Sequence, residues 1–516
     1  MELRKKDRSK LRSAPLREGL VCRTAKLSNN KTWVSIAALL ILLLAVFLRV
    51  YHIDSESVEG DELFSRRVAL AETREAWALA RVDLVHPPLY YFALKVTLPS
   101  GDASTAFDIR RLSLAAGAAA IVLTILIGFA APELRVPALL AAVLLALNKI
   151  HIFYSQQARS YALFTALVAL LLLWRVVAGR HWQRPWYWVS GTILMAAITW
   201  THYVGALFCA ACVLPMTFTN YCGARTRAAR VLPMISLVVA ALLFLPWLIP
   251  ELAIYRQRGG LSENLAWQGL PDTFHLKMAF ANHVGIPDFR GATTLAFFVG
   301  AFLVCGAFLP KTGAESVDRN GVRLTSAMMA IAPPVVLWLS TRWPLHLPIF
   351  ADRHLLPAIV PTLILMCYGL TRIAWLAGKA NRTGWLFGFG AIVLCAFQIA
   401  PVCRDWPGPI RHPYATIAAD LERIASGLPV YTTLPYGIGE PVSFHSRYQR
   451  KIDGLPELSE VSQLPHRLCV LYRPAVTREN ERVQPLLQRY DVVMDKYYSG
   501  AGSPRSGTRL LVLSRR

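Results

Sequence analysis

Long apolar blocks run through this chain and leave it few folds. They extend over roughly 17 to 22 residues, about what a helix needs to cross a hydrocarbon core some 30 Å thick. They lie near 33–50, 112–131, 136–152, 161–178, 186–200, 203–221, 231–249, 292–309, 325–340, 355–376 and 385–402, which makes about eleven crossings. None alternates polar with apolar residues at period two, so a closed barrel is excluded. Over 516 residues the chain is 54% hydrophobic and only 17% charged, and a water-soluble protein of that composition would expose too much apolar surface. The expected fold class is a polytopic α-helical membrane protein. Prolines within or at the ends of spans, among them Pro215, Pro233, Pro246, Pro333, Pro334, Pro357 and Pro361, are expected to kink helices and shape a cavity.

The formal net charge of +23 raises the question of nucleic acid, but the Lys and Arg residues are scattered among short connections and no nucleic-acid motif is present. Membrane topology accounts for them better, because cytoplasmic connections hold the excess of basic residues. With the N-terminus inside, the cytoplasmic pieces contain Arg135; Arg175, Arg180 and Arg184; Arg225, Arg227 and Arg230; Lys311, Arg319 and Arg323; and Arg372, Lys379 and Arg382. Every one is basic. The loop 51–111, the turn 153–160, the loop 250–291, the turn 341–354 and the tail from about 403 then lie outside. The first block follows a basic stretch, 1–32, with Arg4, Lys5, Lys6, Arg8 and Lys10, and no small-residue cleavage site follows it. It reads as a retained signal anchor.

Three parts are expected: a cytoplasmic N-terminus 1–32, a transmembrane region 33–402 with a functional first outer loop 51–111, and a soluble outer domain 403–516. In the tail, acidic residues such as Asp420, Glu422, Glu440, Glu457 and Glu460 appear, and β-rich runs at Leu468–Tyr472, Asp491–Met494 and Arg509–Leu513 replace the long blocks. This reads as a small α/β domain. Cys209 and Cys212 form a CxxC inside an apolar helix, where packing is the expected role. Cys403 and Cys469, both outside, could pair.

The unusual polar residues gather on the outer side although they are far apart in sequence. Asp61-Glu62 and His86-Pro87-Pro88-Leu89-Tyr90-Tyr91 lie in the first outer loop, and Arg110-Arg111 opens the second span. Tyr154 to Tyr161, including Gln157 and Arg159, forms the next outer turn; Thr201-His202-Tyr203 and Asp352-Arg353-His354 follow at other helix ends. A carboxylate partly desolvated at the membrane surface is strengthened as a base, so Asp61 or Glu62 could deprotonate a hydroxyl or amine. Equally, the pair could cap an interfacial helix. Arg111, Arg159 and Arg353 could hold a phosphate, which the guanidinium fork grips at two points, or anchor helix ends. His86 and His202 could ligate a divalent metal, with His86 the candidate, or simply hydrogen-bond. Tyr90, Tyr91, Tyr154, Tyr161 and Tyr203 fit an aromatic belt and could also stack on sugar rings.

In this order, these elements resemble the GT-C glycosyltransferases, in the branch similar to protein O-mannosyltransferases and the bacterial aminoarabinose and lipopolysaccharide-core transferases. The resemblance covers roughly 33–376. It rests on Asp61-Glu62, His86 to Tyr91, Arg111, the Tyr-Ser-Gln-x-Ala-Arg turn Tyr154–Arg159, Thr201 to Tyr203, and Arg353 to Pro357. It implies a GT-C fold, a polyprenyl-phosphate (undecaprenyl- or dolichyl-type) sugar donor, inversion at the anomeric carbon, and a cell-envelope lipid, glycan or protein acceptor. It further implies Asp61 as general base, Glu62 in the acceptor site, and Arg111 and Arg159 as phosphate contacts. Two positions depart from the branch: Gln157 stands where Glu is usual, and His354 where Tyr is common. The first removes a carboxylate that could partner Arg159 or a metal, so a metal requirement is not implied. The absence of a large inserted luminal domain points to the bacterial inner membrane. A lipid-linked-sugar transporter or flippase and a noncatalytic binder of the same fold remain the alternatives, although transporters favour paired repeats and midplane charges.

Overall fold

A computed structural model describes residues 31–54, 56–83, 85–99, 104–218, 227–257, 270–285, 290–309, 317–342, 349–377, 383–405, 413–424, 426–446, 451–456, 463–500 and 503–516. The basic stretch 1–30, Arg225, Lys311, Lys379, Arg382, Glu457 and Glu460 lie outside the described residues.

Among the described residues each apolar block holds a helix, and the block 136–152 is divided between two. In chain order the helices begin with α1 (Lys31–Val50), after which three helices fold the loop 51–105: α2 (Gly60–Leu70), α3 (Thr73–Asp83) and α4 (Leu89–Thr97). Then come α5 (Ala106–Ala130), α6 (Arg135–Leu147), α7 (Lys149–Ser155), α8 (Tyr161–Val176), α9 (Pro185–Thr201) and α10 (Gly205–Phe218). The set ends with α11 (Arg227–Gln257), α12 (Thr273–Val284), α13 (Arg290–Gly306), α14 (Val317–Ser340), α15 (Ile359–Ala377) and α16 (Thr383–Asp405). Among the described residues six helices are long and apolar enough to cross a membrane, or seven if the bent pair α6–α7 is one span. The four remaining blocks fold as the shorter helices α8, α9, α10 and α13, below that length.

Burial separates the inside of this bundle from its rim. The segment Asp352–Ala377 is 78% buried over its apolar window, whereas Thr32–Val50 and Val231–Gln257 are each 28% buried. α1 turns Trp33, Leu39, Leu40, Leu43 and Phe47 outward, as a helix facing lipid does. At the centre α15 crosses α13 closely, because Gly369 has no side chain there. A Cβ at that position would stand 1.7 Å from the Leu303 carbonyl oxygen. The α6–α7 pair bends by 65° at Asn148, whose side chain accepts from the His151 N–H and donates to the Asn282 carbonyl and Gln398 Oε1. That bend delivers the turn 156–160 to the loop between α1 and α5, where the Ala158 N–H meets Glu62.

The tail forms a five-stranded sheet in the order β2-β1-β3-β5-β4. The strands are β1 (Val430–Thr432), β2 (Asp453–Gly454), β3 (Arg467–Tyr472), β4 (Tyr490–Gly500) and β5 (Ser503–Arg515). β1 runs parallel to both β2 and β3, and β5 antiparallel to β3 and β4. Helices α17 (Tyr414–Ile424), α18 (Glu440–His445) and α19 (Thr477–Arg489) accompany it. Cys469 is buried in β3 and Cys403 is exposed near the end of α16; both are free thiols, so the pairing that the sequence allowed is not formed.

The sheet domain touches the loop between α1 and α5 directly. The Val58 N–H donates to Nε2 of His445 (2.8 Å), the Ala415 N–H donates to Ser57 Oγ (3.2 Å), and Arg67 pairs with Glu440. These contacts put the loop and the tail on one side, so an even number of crossings separates them.

Candidate active site

Two adjacent arginines open α5, and helix geometry decides between them. Neighbours on a helix point about 100° apart, so when Arg110 turns inward Arg111 turns away. Arg110 is 0% exposed. Its Nε and Nη2 donate to the two oxygens of Glu62, each at 2.9 Å. Nη1 donates to the carbonyls of Ile53 (2.5 Å) and Glu56 (3.0 Å), and Nη2 also to that of Ser57 (2.8 Å). All five guanidinium donors are thereby used. Glu62, equally buried, accepts in addition from the N–H groups of Ala158 (2.9 Å) and Glu59 (3.1 Å), the latter closing a capping box at the start of α2. Glu62 is therefore committed to fastening α2, the segment 53–59 and the turn 156–160 to one another. It is not open to an acceptor.

That fastening sets Asp61 beside Arg159. The Arg159 Nε lies 3.9 Å from Asp61 Oδ2, and its Nη1 reaches the Asp61 carbonyl oxygen at 3.5 Å. The Asp61 side chain is 59% exposed; what distinguishes it is its position against a buried cation. Arg159 itself is 4% exposed. Its Nη1 donates to the Tyr91 hydroxyl (3.2 Å), Nη2 lies 3.0 Å from His86 Nδ1 and 3.8 Å from Asp83 Oδ1, and the buried Nε has no hydrogen-bond partner among the described residues.

Asp83 completes this group. Its Oδ2 accepts from the Tyr91 hydroxyl (2.6 Å) and lies 3.1 Å from His86 Nδ1. Burial by itself would raise its pKa, but the Arg159 charge and the hydrogen bonds from His86 and Tyr91 outweigh burial and hold the carboxyl at about 2. Burial, reinforced by the Arg159 charge and opposed by Asp83, holds the His86 imidazole below its ordinary value. The Asp83-x-x-His86 spacing was the available signal for Asp83, on the last turn of a short amphipathic helix that sequence reasoning passed over.

Aromatic rings line the other wall. Tyr161 lies 5.4 Å from His86, 6.1 Å from His202 and 5.0 Å from Tyr154 between centroids, and His354 lies 4.9 Å from His202. Arg353 sits one residue before His354, and its charge acts on His86 after burial, Arg159 and Asp83. Gln157 donates through Nε2 to Glu59 Oε2 at 3.2 Å. The structure thus gathers Asp61, Glu62, His86, Gln157, Arg159, Tyr161, His202 and Arg353. Tyr90 stands one step behind Arg159: its hydroxyl pairs with Ser113 Oγ (2.8 Å), which donates to the Arg159 carbonyl oxygen (3.2 Å). Two expected residues are turned to other partners. Arg111 lies 3.8 Å from Asp108 and is 36% exposed, and the Tyr203 hydroxyl accepts from Trp247 Nε1 (3.1 Å) beside Phe244. Among the described residues no three His, Cys, Asp or Glu side chains are arranged to hold a metal ion, so His86 gathers no ligand set around it.

Beside a wall of rings, a buried guanidinium whose Nε–H is unused can bind a phosphate, and the exposed carboxylate next to it can take a proton from a group presented to it. No protein-family profile matches the chain, and no curated protein matches it in sequence. Solved structures do. The apo structure of ArnT from Cupriavidus metallidurans is similar over 93% of this chain and 98% of its own, at 13% identity and a TM-score of 0.51. The same protein bound to undecaprenyl phosphate gives 94%, 98%, 13% and 0.48. The Archaeoglobus fulgidus oligosaccharyltransferase in complex with Zn and sulfate gives 93% of this chain and 73% of that one, at 12% identity and 0.49. The fold is the GT-C fold.

Proposed function

We propose that the chain is an inverting glycosyltransferase that moves a sugar from a polyprenyl phosphate to a lipid, glycan or protein of the cell envelope. The observation that carries this reading is the 3.9 Å approach of Asp61 and Arg159, groups from two outer segments brought together by the buried Glu62–Arg110 pair. Arg159, with Arg353 nearby, holds the donor phosphate and stabilises the charge that grows on it as the sugar leaves. Asp61 accepts the proton of the acceptor hydroxyl or amine. The acceptor atom bonds to the anomeric carbon as the carbon–oxygen bond to phosphate breaks, the bonding pair leaves with the phosphate, and attack from the opposite face inverts the centre. One base is sufficient because the leaving group is already a phosphate. Arg111 has no part in this account, and Glu62 acts by positioning.

The GT-C fold and the ordered sequence elements from Asp61-Glu62 to Arg353 support the reading. A topology of eleven crossings, with the stretch 1–32 cytoplasmic, the region 33–402 in a bacterial inner membrane and the tail 403–516 periplasmic, agrees with the basic connections and with the even number of crossings between loop and tail. The test supplies purified full-length protein with a panel of undecaprenyl-phosphate sugars and cell-envelope acceptors, with products identified by mass spectrometry. Transfer from at least one donor is expected. No transfer from any would overturn the proposal.

A further inference from the structure

Three imidazoles close the ring-lined wall of the site, and the reaction above leaves their outer nitrogens unused. The rings of His86 and His202 lie 5.3 Å apart, and those of His202 and His354 4.9 Å. Their exposures are 1%, 2% and 6%, and the Nε2 of each is buried without a hydrogen-bond partner among the described residues. Buried polar atoms in folded proteins are satisfied almost without exception, so a group of three next to a reaction centre implies an occupant.

The opposite nitrogens define what that occupant must be. The Val204 N–H points at Nδ1 of His202 (3.2 Å); that nitrogen accepts, so the neutral ring carries its proton on Nε2. The Nδ1 of His354 lies 2.9 Å from the Ile349 carbonyl oxygen; a carbonyl only accepts, so this ring carries its proton on Nδ1 and leaves a lone pair on Nε2. Phe164 stacks on His202 at 5.0 Å and 5°, which keeps that ring from turning. On two rings 4.9 Å apart, then, stand one donor and one acceptor. A phosphate oxygen would satisfy His202 alone, and an ammonium group would satisfy His354 alone while opposing the His202 N–H. A hydroxyl satisfies both.

We propose that His202 and His354 together bind one hydroxyl of the transferred sugar, so that the donor carries a neutral, hydroxyl-bearing sugar rather than a cationic amino sugar at that position. This rests on the transferase reading of the same site. His86, with its Nδ1 3.0 Å from Arg159, links the hydroxyl subsite to the phosphate-holding arginine.

The test uses the purified full chain and undecaprenyl phosphate carrying glucose, mannose, arabinose, their singly deoxygenated forms, or 4-amino-4-deoxyarabinose. A neutral donor is expected to be used. Removing one particular hydroxyl should lower kcat/KM about 10- to 100-fold, the effect of one buried hydrogen-bonding group left unpaired. That loss should disappear in His354→Phe, where the acceptor is already gone, and persist in His354→Asn, which restores one. If His354→Phe does not fold, His202→Phe makes the same comparison from the donor side. Preference for the amino sugar overturns the proposal, as does indifference to every deoxygenation, which would mean that the nitrogens hold only water. Thermal stabilisation by each donor separates the two readings. Binding without transfer refutes the transferase while the ranking of donors still decides the hydroxyl; binding of none refutes both.

Discussion

Replacing Glu62 with Gln tests the fastening on which the site depends. The side chain keeps its size, but the charge is lost and an NH₂ group replaces one oxygen, facing an arginine that can only donate. Arg110 is then left at 0% exposure with its charge uncompensated and one of its two acceptors on residue 62 gone. Breaking a buried ion pair by changing one partner costs about 3–5 kcal/mol. At roughly 1–2 °C per kcal/mol for a chain of this size, extrapolating from smaller domains, the apparent Tm in detergent should fall by about 5 °C. Replacing both partners by leucine often restores stability at buried pairs, but not here, because Arg110 also satisfies the carbonyls of Ile53, Glu56 and Ser57. The double variant Glu62→Leu/Arg110→Leu should therefore be no more stable than Glu62→Gln. Differential scanning fluorimetry of the purified variants measures this. A Glu62→Gln protein that melts with the wild type, or a double variant that recovers fully, would refute the assignment of Glu62 as a fastening.

Three further outcomes follow from the geometry. Burial, then the Arg110 charge, hold His445 down to about 4 against the opposition of Glu62. Because its folded pKa lies below the unfolded value near 6.5, the unfolded chain binds the extra proton, so the docking of the tail on Val58 should be complete above about pH 6.5 and weaken as pH falls toward 4. Hydrogen exchange of the segment 53–59 should accelerate over that window, and His445→Gln, which keeps an acceptor but cannot titrate, should flatten the profile; an identical profile in the variant contradicts the contact. A methyl at Gly117 would lie 2.1 Å from Ser155 Oγ and 2.7 Å from its Cβ, so Gly117→Ala should destabilise by about 1–3 kcal/mol, seen as a lower Tm; an unchanged Tm contradicts the packing of α5 on α7. Finally, Cys403 should react with maleimide in the folded protein without reductant and Cys469 only after denaturation, whereas a requirement for reductant would restore the disulfide.

The fold was legible where it depends on amount and the site where it depends on order. Apolar blocks long enough for a bilayer announce their helices by length alone, and the tail strands by β-rich runs such as Leu468–Tyr472. The helices α2 to α4 and α12 were not legible in the same way, because they are short and held by their surroundings, α2 by the box between Glu59 and Glu62. Within the site, Asp61, His86 and Arg159 could be picked out from their motifs. The choice between Arg110 and Arg111 could not, since one step along a helix reverses inside and outside and nothing local to the pair fixes the phase. Asp83 escaped notice for a related reason: its role comes from Tyr91 and Arg159, the latter distant in sequence. The tautomers of His202 and His354 are set by backbone atoms at 204 and 349, whose positions exist only once the chain is folded.

The central claim is that an exposed acid next to a buried phosphate-holding arginine takes the acceptor's proton. Single-turnover transfer by Asp61→Asn, measured beside its affinity for the donor, tests it most directly. Loss of a general base lowers the rate by about 10²- to 10⁴-fold, and the account predicts a fall of that size with donor affinity retained. Transfer at the wild-type rate would contradict it.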